Sequence, residues 1–344
     1  MEIVVYGAGA IGGFLGGRLA LAGHRVTLVD RPATAEAIDR EGLRLVAEGK
    51  VEVAPVRAVG SLAEARPAAA ALILLSMKAY DMEAALDELL ALCPHPAQLL
   101  TTQNGIGVEE LVSARFGEHR VLAGSVTVPI SRTPGGLTIE RTGRGLGIAP
   151  VQPGRAIDEW VAPFAAAGLR AMALADYRSM KWSKAFLNIM GNAVSAILNR
   201  PPAELYRMEA VFDLEMRMLR EMLAVMRRLG LRVVNLPGAS ARPLAGSLAY
   251  APRVLLRTVF TQVIARGRGD KMPSFHIDLT YGKGRSEVLF HNGAIAAAGR
   301  ACGVATPVNA AYNELLMALA RGERSRAEFD GRPDRLLAEV ARHE

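Results

Sequence analysis

EIVVYGAGAIGG, residues 2–13, decides how the first half of the chain is read. Ile3, Val4, Val5 and Tyr6 are β-branched or aromatic and predict a strand. The segment after the glycines, residues 10–22, has the apolar content and spacing of a helix. Between them lies Gly7-Ala8-Gly9-Ala10-Ile11-Gly12, a GxGxxG pattern in the strand-to-helix context that gives it meaning. Gly7 permits the tight turn, Gly9 lets a backbone approach a pyrophosphate, and Gly12 lets helix and strand pack closely, with the helix N-terminus facing the phosphates. Residues 7–12 are therefore the expected dinucleotide contacts. Gly13, Gly16 and Gly17 extend the low-bulk face, and packing explains them better than a ligand does.

Outward from this turn, short apolar runs alternate with helix-length segments. EIVVYG (2–7), RVTLVD (25–30), ALILLSM (71–77) and AQLLTTQNG (97–105) read as strands, with helices predicted at 10–22, 79–92 and 108–116. That alternation predicts an α/β doubly wound parallel sheet. Residues 121–150 are rich in Gly, Pro, Thr and Val and read as extra antiparallel edge strands. AIDEWVAPFAAAG and LRAMAL add a helix and a strand. After about residue 175 the strand signal gives way to helices, so the expected domains are 1–174, holding the dinucleotide, and 175–344, all-helical and holding the substrate. PGASARPLAGSLAYAP (237–252) reads as a long loop, RGRGDK (266–271) as an exposed loop, and the Arg-rich tail after 321 as a helix with a frayed end.

A chain of 344 residues, 51% hydrophobic, can bury the cores of two domains. Met1 leads directly into the first strand without a basic-then-apolar leader, and the longest apolar run, AAAALILLSM (68–77), is too short to span a bilayer. A cytoplasmic protein without a membrane partner is expected. Cys93 and Cys302 stand far apart with no CxxC, and the six histidines have no metal-ligand spacing, so neither a disulfide framework nor a metal site is expected. The net charge of +7 is spread among acids and alanines, which argues against nucleic acid and suits anionic small molecules. The apolar surface of a helical domain could pack internally or against a second copy, leaving a homodimer open.

Three features refine the dinucleotide site. Asp30-Arg31 ends the second strand, and its members point in opposite directions: a carboxylate there bonds the ribose 2′-hydroxyl of NAD, whereas an arginine accommodates the 2′-phosphate of NADP. NADP is favoured if Asp30 turns aside. Lys78, after ALILLSM, stands at the strand edge where ligands bind in such sheets and adds a second cation, unless it is a solvated loop lysine. Asn104-Gly105, in TTQNGIG, is either turn chemistry or a contact on the same crevice.

MKWSKAFLNIMGNAVSAILNRP (180–201) poses a separate question. On one helical wheel, at about 100° per residue, Lys184, Asn188, Asn192, Ser195 and Asn199 share one wedge with Gly191 while apolar residues cover the rest. A solvated stripe is normally written in Glu, Lys, Arg and Gln. This one has a single ammonium and three short amides, which suits a ligand better than water. Pro201 and Pro202 stop the helix.

With these motifs in hand, the sequence resembles the ketopantoate reductase family over nearly its whole length. The resemblance rests on the GxGxxG turn, KAY (78–80), QNGIG (103–107), WSKAFLNIMGN (182–192) and PSFHIDLTYGKGRSEV (273–288). It implies a Rossmann domain followed by an all-helical domain, with NADPH and a 2-oxo acid in the cleft between them, and reduction of 2-dehydropantoate to (R)-pantoate. It further implies that Lys184 is the catalytic lysine, that Asn188 and Asn192 line the substrate pocket, that Ser274 binds the substrate carboxylate and that Glu287 pairs with the lysine. Asn104 would contact the nicotinamide side and orient substrate, and Arg31 and Lys78 would hold the adenosine phosphate. Asp278 matches the pattern either as a ligand contact or as a residue that positions helices. A hydride delivered to a carbonyl leaves an alkoxide, so a site for that chemistry needs a proton and positive charge at that oxygen, and a lysine supplies both. For Ser274 a helix cap is the rival role, and for Glu287 a surface position. The chain departs from the family in LTYGKGRS (279–286), one residue longer than usual between Asp278 and Glu287, and in Ser286 and Val288-Leu289. These changes bear on substrate choice more than on chemistry, which keeps another branched 2-oxo acid as an alternative. A non-catalytic dinucleotide sensor would retain the glycines but has no need of Lys184, Glu287 and the amide stripe.

Overall fold

The computed structural model describes residues 1–267, 271–281 and 284–344. Of the RGRGDK stretch, residues 268–270 lie outside the described residues, as do Gly282 and Lys283 of LTYGKGRS. The chain forms two compact units, one of Met1–Lys181 with Asn235–Ala239, the other of Trp182–Val234 with Ser240–Glu344.

The first unit is α/β. Along the chain come β1 (Glu2–Tyr6), α1 (Ala10–Leu21), β2 (Arg25–Val29), α2 (Pro32–Glu41), β3 (Leu43–Ala47), β4 (Lys50–Ala54), β5 (Arg57–Val59), β6 (Leu72–Leu75), α3 (Met82–Leu92), β7 (Leu99–Thr101) and α4 (Val108–Phe116). They are followed by β8 (Val121–Val126), β9 (Ile130–Thr133), β10 (Gly136–Ile139), β11 (Gly145–Pro150), α5 (Asp158–Ala166) and β12 (Arg170–Ala173). One eight-stranded sheet runs β12-β11-β8-β7-β6-β1-β2-β5. Its strands from β5 to β8 are parallel, and β11 turns antiparallel to β8. Every residue of β6, β7 and β8 is buried, which is why these strands read as unbroken apolar runs with no alternation.

Residues 121–150 divide in a way that corrects the expected edge strands. β8 and β11 lie inside the large sheet, while β9 and β10 join β3 and β4 in a second sheet of order β4-β3-β10-β9. Helix α1 packs on β1 and β2 of one sheet and on β3, β4, β9 and β10 of the other. A helix covered on both sides has no polar face to show, and close approach on both sides requires small residues. A Cβ at Gly16 would meet Leu28 Cδ2 at 2.8 Å, and one at Gly17 would meet Leu43 Cδ2 at 2.9 Å. The expected packing role of these glycines holds.

The second unit is helical. α6 (Tyr177–Ile189) begins in the first unit and is followed by α7 (Asn192–Leu198), α8 (Pro202–Leu205), α9 (Glu209–Arg228), α10 (Ala241–Tyr250), α11 (Arg253–Gly267) and α12 (Ser274–Tyr281). A 3-10 turn at Glu287–Phe290 precedes α13 (Asn292–Cys302), α14 (Pro307–Arg321) and α15 (Pro333–Ala341). α10 corrects the expected loop at 237–252. The helix expected across 180–199 is in fact two, because Gly191 takes φ +66° between α6 and α7. Among the described residues no helix is long and apolar enough to cross a membrane, and no group of His, Cys, Asp or Glu could hold a metal.

Between the two parts of the second unit, Asn235–Ala239 returns to the first. Leu236 N–H donates to Ala239 O at 2.9 Å, and Thr127 Oγ1 donates to Pro237 O at 2.6 Å.

Candidate functional site

In the first unit the glycine turn leaves β1, whose neighbours are β2 and β6. The strand order reverses there, and in open α/β sheets the crevice beyond the strand ends at such a point takes ligands. Gly7 has φ +98°, and a Cβ on it would stand 2.7 Å from Met77 N. At Gly12 a Cβ would run into Gly7 O and Ser76 Cβ, whereas at Gly9 it would meet nothing. The turn thus packs against the sheet through Gly7 and Gly12 and is open at Gly9. α1 has no side-chain cap and no acid in its first turn, so its leading N–H groups suit an anion. This donor set fits the pyrophosphate of a dinucleotide.

Beside it, Asp30 Oδ1 accepts the backbone N–H of Arg31 at 2.8 Å, while the Arg31 side chain is 90% exposed. Asp30 is therefore turned onto its own neighbour, and the guanidinium stands at the start of α2. Lys78 follows β6 and is half-buried, as is Asn104 after β7. The Gln103 side chain joins these two strand ends by donating to Leu75 O at 2.8 Å and Met77 O at 3.1 Å.

Three residues absent from the sequence reading belong to this region. Arg132 of β9 donates to Ala8 O of the glycine turn at 2.9 Å. Lys181 and Glu109 form a buried ion pair at 2.9 Å, with side chains only 3% and 1% exposed. Lys181 Nζ also donates to Gln103 O at 2.5 Å, and Thr101 Oγ1 donates to Glu109 Oε1 at 2.6 Å.

In the second unit, Lys184 and Asn188 are half-buried on α6. Asn192 opens α7 and is 2% exposed. Its amide Nδ2 donates to Ser274 Oγ at 3.3 Å, and its Oδ1 accepts Phe275 N–H at 3.1 Å. Two of the expected substrate residues are thus in contact. The capping alternative for Ser274 is also resolved, since Ser274 is the first residue of α12 and Asn192 takes up the N–H that a cap would satisfy. The Ser274 residue itself is exposed.

Glu287 is buried, which disposes of the surface reading, and Asp278 Oδ2 accepts its N–H at 3.1 Å. Asp278 therefore ties α12 to the 3-10 turn that carries Glu287. Asn199 departs from the expected stripe. It is exposed in a left-handed conformation, and its amide donates to Asp330 Oδ2 at 3.0 Å. Ser195 is fully buried.

The break between α6 and α7 has its own support, which sequence reasoning missed. Glu215 of α9 is fully buried, and its Oε2 accepts Gly191 N–H at 2.7 Å and Tyr206 OH at 2.9 Å. Its Oε1 accepts Tyr312 OH at 3.1 Å. Burial, reinforced by the Glu215 carboxylate, holds the Tyr312 hydroxyl well above the usual phenol range, so it remains a donor.

Comparisons with known proteins agree with this architecture. The family model described as ketopantoate reductase PanE/ApbA matches residues 3–147, and the model of the C-terminal part of the same family matches residues 176–320. The chain is 30% identical over 255 residues to a 2-dehydropantoate 2-reductase of Mesorhizobium japonicum, covering 67% of this chain and 78% of the relative. It is 27% identical over 327 residues to one of Archaeoglobus fulgidus, covering 94% and 98%. Among solved structures, a PanE/ApbA family ketopantoate reductase of Ralstonia eutropha JMP134 superposes with a TM-score of 0.79 at 29% identity, covering 94% of this chain and 99% of that one. D-mandelate dehydrogenase with NADH and anilino(oxo)acetate shares the fold, with a TM-score of 0.78 at 22% identity and coverage of 94% and 99%.

Proposed function

Because this chain belongs to the ketopantoate reductase family, we propose that it is an oxidoreductase that reduces 2-dehydropantoate to (R)-pantoate with NADPH, a step of pantothenate and coenzyme A synthesis. The observation that carries this reading is the contact between Asn192 and Ser274, eighty-two positions apart in sequence yet hydrogen-bonded. It joins two neutral polar groups of the kind that hold a hydroxylated carboxylic acid.

In this reading residues 7–12 hold the pyrophosphate, Arg31 and Lys78 the adenosine phosphate, and Asn104 the nicotinamide side. When bound, the cofactor supplies the hydride that goes to C2 of the 2-oxo acid. Lys184 donates a proton to the oxygen on which negative charge develops, and its charge lowers the cost of that development before the proton moves. Glu287 acts with it by favouring the protonated ammonium. Asn188 and Asn192 bind the substrate's oxygens without adding charge, and the Ser274 hydroxyl donates a hydrogen bond to the carboxylate. The exposed Arg31 and the engagement of the Asp30 carboxylate by the Arg31 backbone N–H support NADPH over NADH.

The test is NADPH oxidation against a panel of branched, linear and aryl 2-oxo acids. Preferred turnover of 2-dehydropantoate is expected. Better turnover of another acid would sink the named substrate, and cofactor binding with no turnover of any would sink the enzymatic reading.

A further inference from the structure

The Lys181–Glu109 pair is a costly thing to bury. Two charges withdrawn from water give up more hydration than their attraction restores unless the remaining donors and acceptors are also satisfied. Here they are not all satisfied, because Glu109 Oε2 is buried with no hydrogen-bond partner among the described residues. Stability alone does not explain such a pair. What it touches does: Lys181 Nζ, held by Glu109, donates to the main-chain oxygen of Gln103 at 2.5 Å and to Gly124 O of β8 at 3.5 Å. Gln103 directly precedes Asn104, and Gly105 after it takes φ +107°. The turn bearing Asn104 is therefore gripped twice, through the Gln103 side chain on Leu75 and Met77 and through its carbonyl on a buried ammonium.

We propose that Lys181 and Glu109 are positioning residues that fix the Gln103–Gly105 turn and so set where Asn104 meets the nicotinamide end of the cofactor. The inference rests on the functional reading above, which assigns Asn104 to that end. A covalently linked oxygen held by a charge-assisted bond moves little, and small displacements at a reacting centre are expensive. A shift of about 1 Å costs on the order of a hundredfold in rate.

The experiment replaces both charges at once, because removing either alone leaves its partner buried and unpaired. The variants are Lys181→Met with Glu109→Met, and Lys181→Met with Glu109→Gln, which keeps an acceptor for Thr101. Affinities for NADPH and for 2′-phospho-ADP-ribose, which lacks the nicotinamide, are measured by fluorescence and calorimetry alongside kcat and the isotope effect with deuterated NADPH. The expected result is unchanged affinity for the fragment, a smaller difference in affinity between NADPH and the fragment, a kcat lowered by about tenfold or more, and a larger isotope effect. A folded variant whose kcat and NADPH-to-fragment difference both match the parent overturns the proposal. So does failure of both pairs to fold, since the pair is then an element of stability. If the parent chain turns over no 2-oxo acid, the functional reading fails before any variant is made, and the two affinities still report whether the pair orders the nicotinamide end.

Discussion

Glu215 holds the backbone N–H of Gly191 at 2.7 Å, so a carboxylate on α9 stabilises the interruption that separates the helix bearing Lys184 from the helix bearing Asn192. Glu215→Gln replaces a carboxylate that accepts from Gly191, Tyr206 and Tyr312 by a side chain that must turn its NH2 toward one of those donors. A loss of about 2–4 kcal/mol in stability is expected from the broken charge-assisted bonds, read by urea unfolding. The KM for the 2-oxo acid should rise more than that for NADPH. Equal changes in both would mean that the break does not govern the Asn192 side of the site.

Lys184→Ala should lower kcat by about two to four orders of magnitude, the range expected when a positioned proton donor is lost. NADPH affinity should stay within experimental scatter of the parent value. Steady-state rates and a fluorescence titration check both parts, and an undiminished kcat would remove Lys184 from the chemistry.

Arg31→Ala should weaken NADPH by about ten- to a hundredfold, the worth of a charge-assisted contact to the 2′-phosphate. NADH should be bound and used as before, because it lacks the 2′-phosphate that the exposed Arg31 is assigned to hold. Parallel kinetics with the two cofactors would show it. Equal use of both by the parent, unaltered in the variant, would contradict the assignment.

His276 gives a pH prediction whose sign follows from its surroundings. Burial, aided by Arg326, lowers its pKa below that of a free imidazole, while the ring meets Asn199 Oδ1 at 3.0 Å. As pH falls past about 6.5 the unfolded chain takes up a proton that the folded chain refuses until lower pH. Stability is therefore full above that pH and declines as pH drops toward the folded value. In His276→Gln this component of the decline should vanish, measured as thermal midpoints between pH 5 and 8. An identical slope in parent and variant would show that another group is responsible.

What the sequence disclosed and what it hid divide along physical lines. The glycine turn was legible because each of its requirements is local: a strand, a sharp turn and an open helix start within a dozen residues. The sequence of 180–199 reads as one continuous helix because a helical wheel assumes constant phase, and a single glycine in a helical pattern does not announce that it will turn left-handed. Asn199 shared the wheel with Asn192 yet serves Asp330. The β3–β4 hairpin is hard to read in sequence because it is short and exposes Val51 and Val53, and because its link to β10 joins distant segments. α10 reads as a loop in sequence because the prolines, glycines and serines around it mask its helical spacing. Lys181, Glu109 and Glu215 look like surface charges in sequence, and only their remote partners give them meaning.

The strap at Asn235–Ala239 means that the N-terminal half cannot be excised by a single cut. A fragment ending at Lys181 would leave the Thr127 hydroxyl without Pro237 and strip Gly143, Arg144 and Gly147 of the contacts that Pro237 and Gly238 make with them. Anyone dissecting this molecule by truncation would need to graft the returning pentapeptide back, since the nucleotide-binding module is complete only once the later chain has been made.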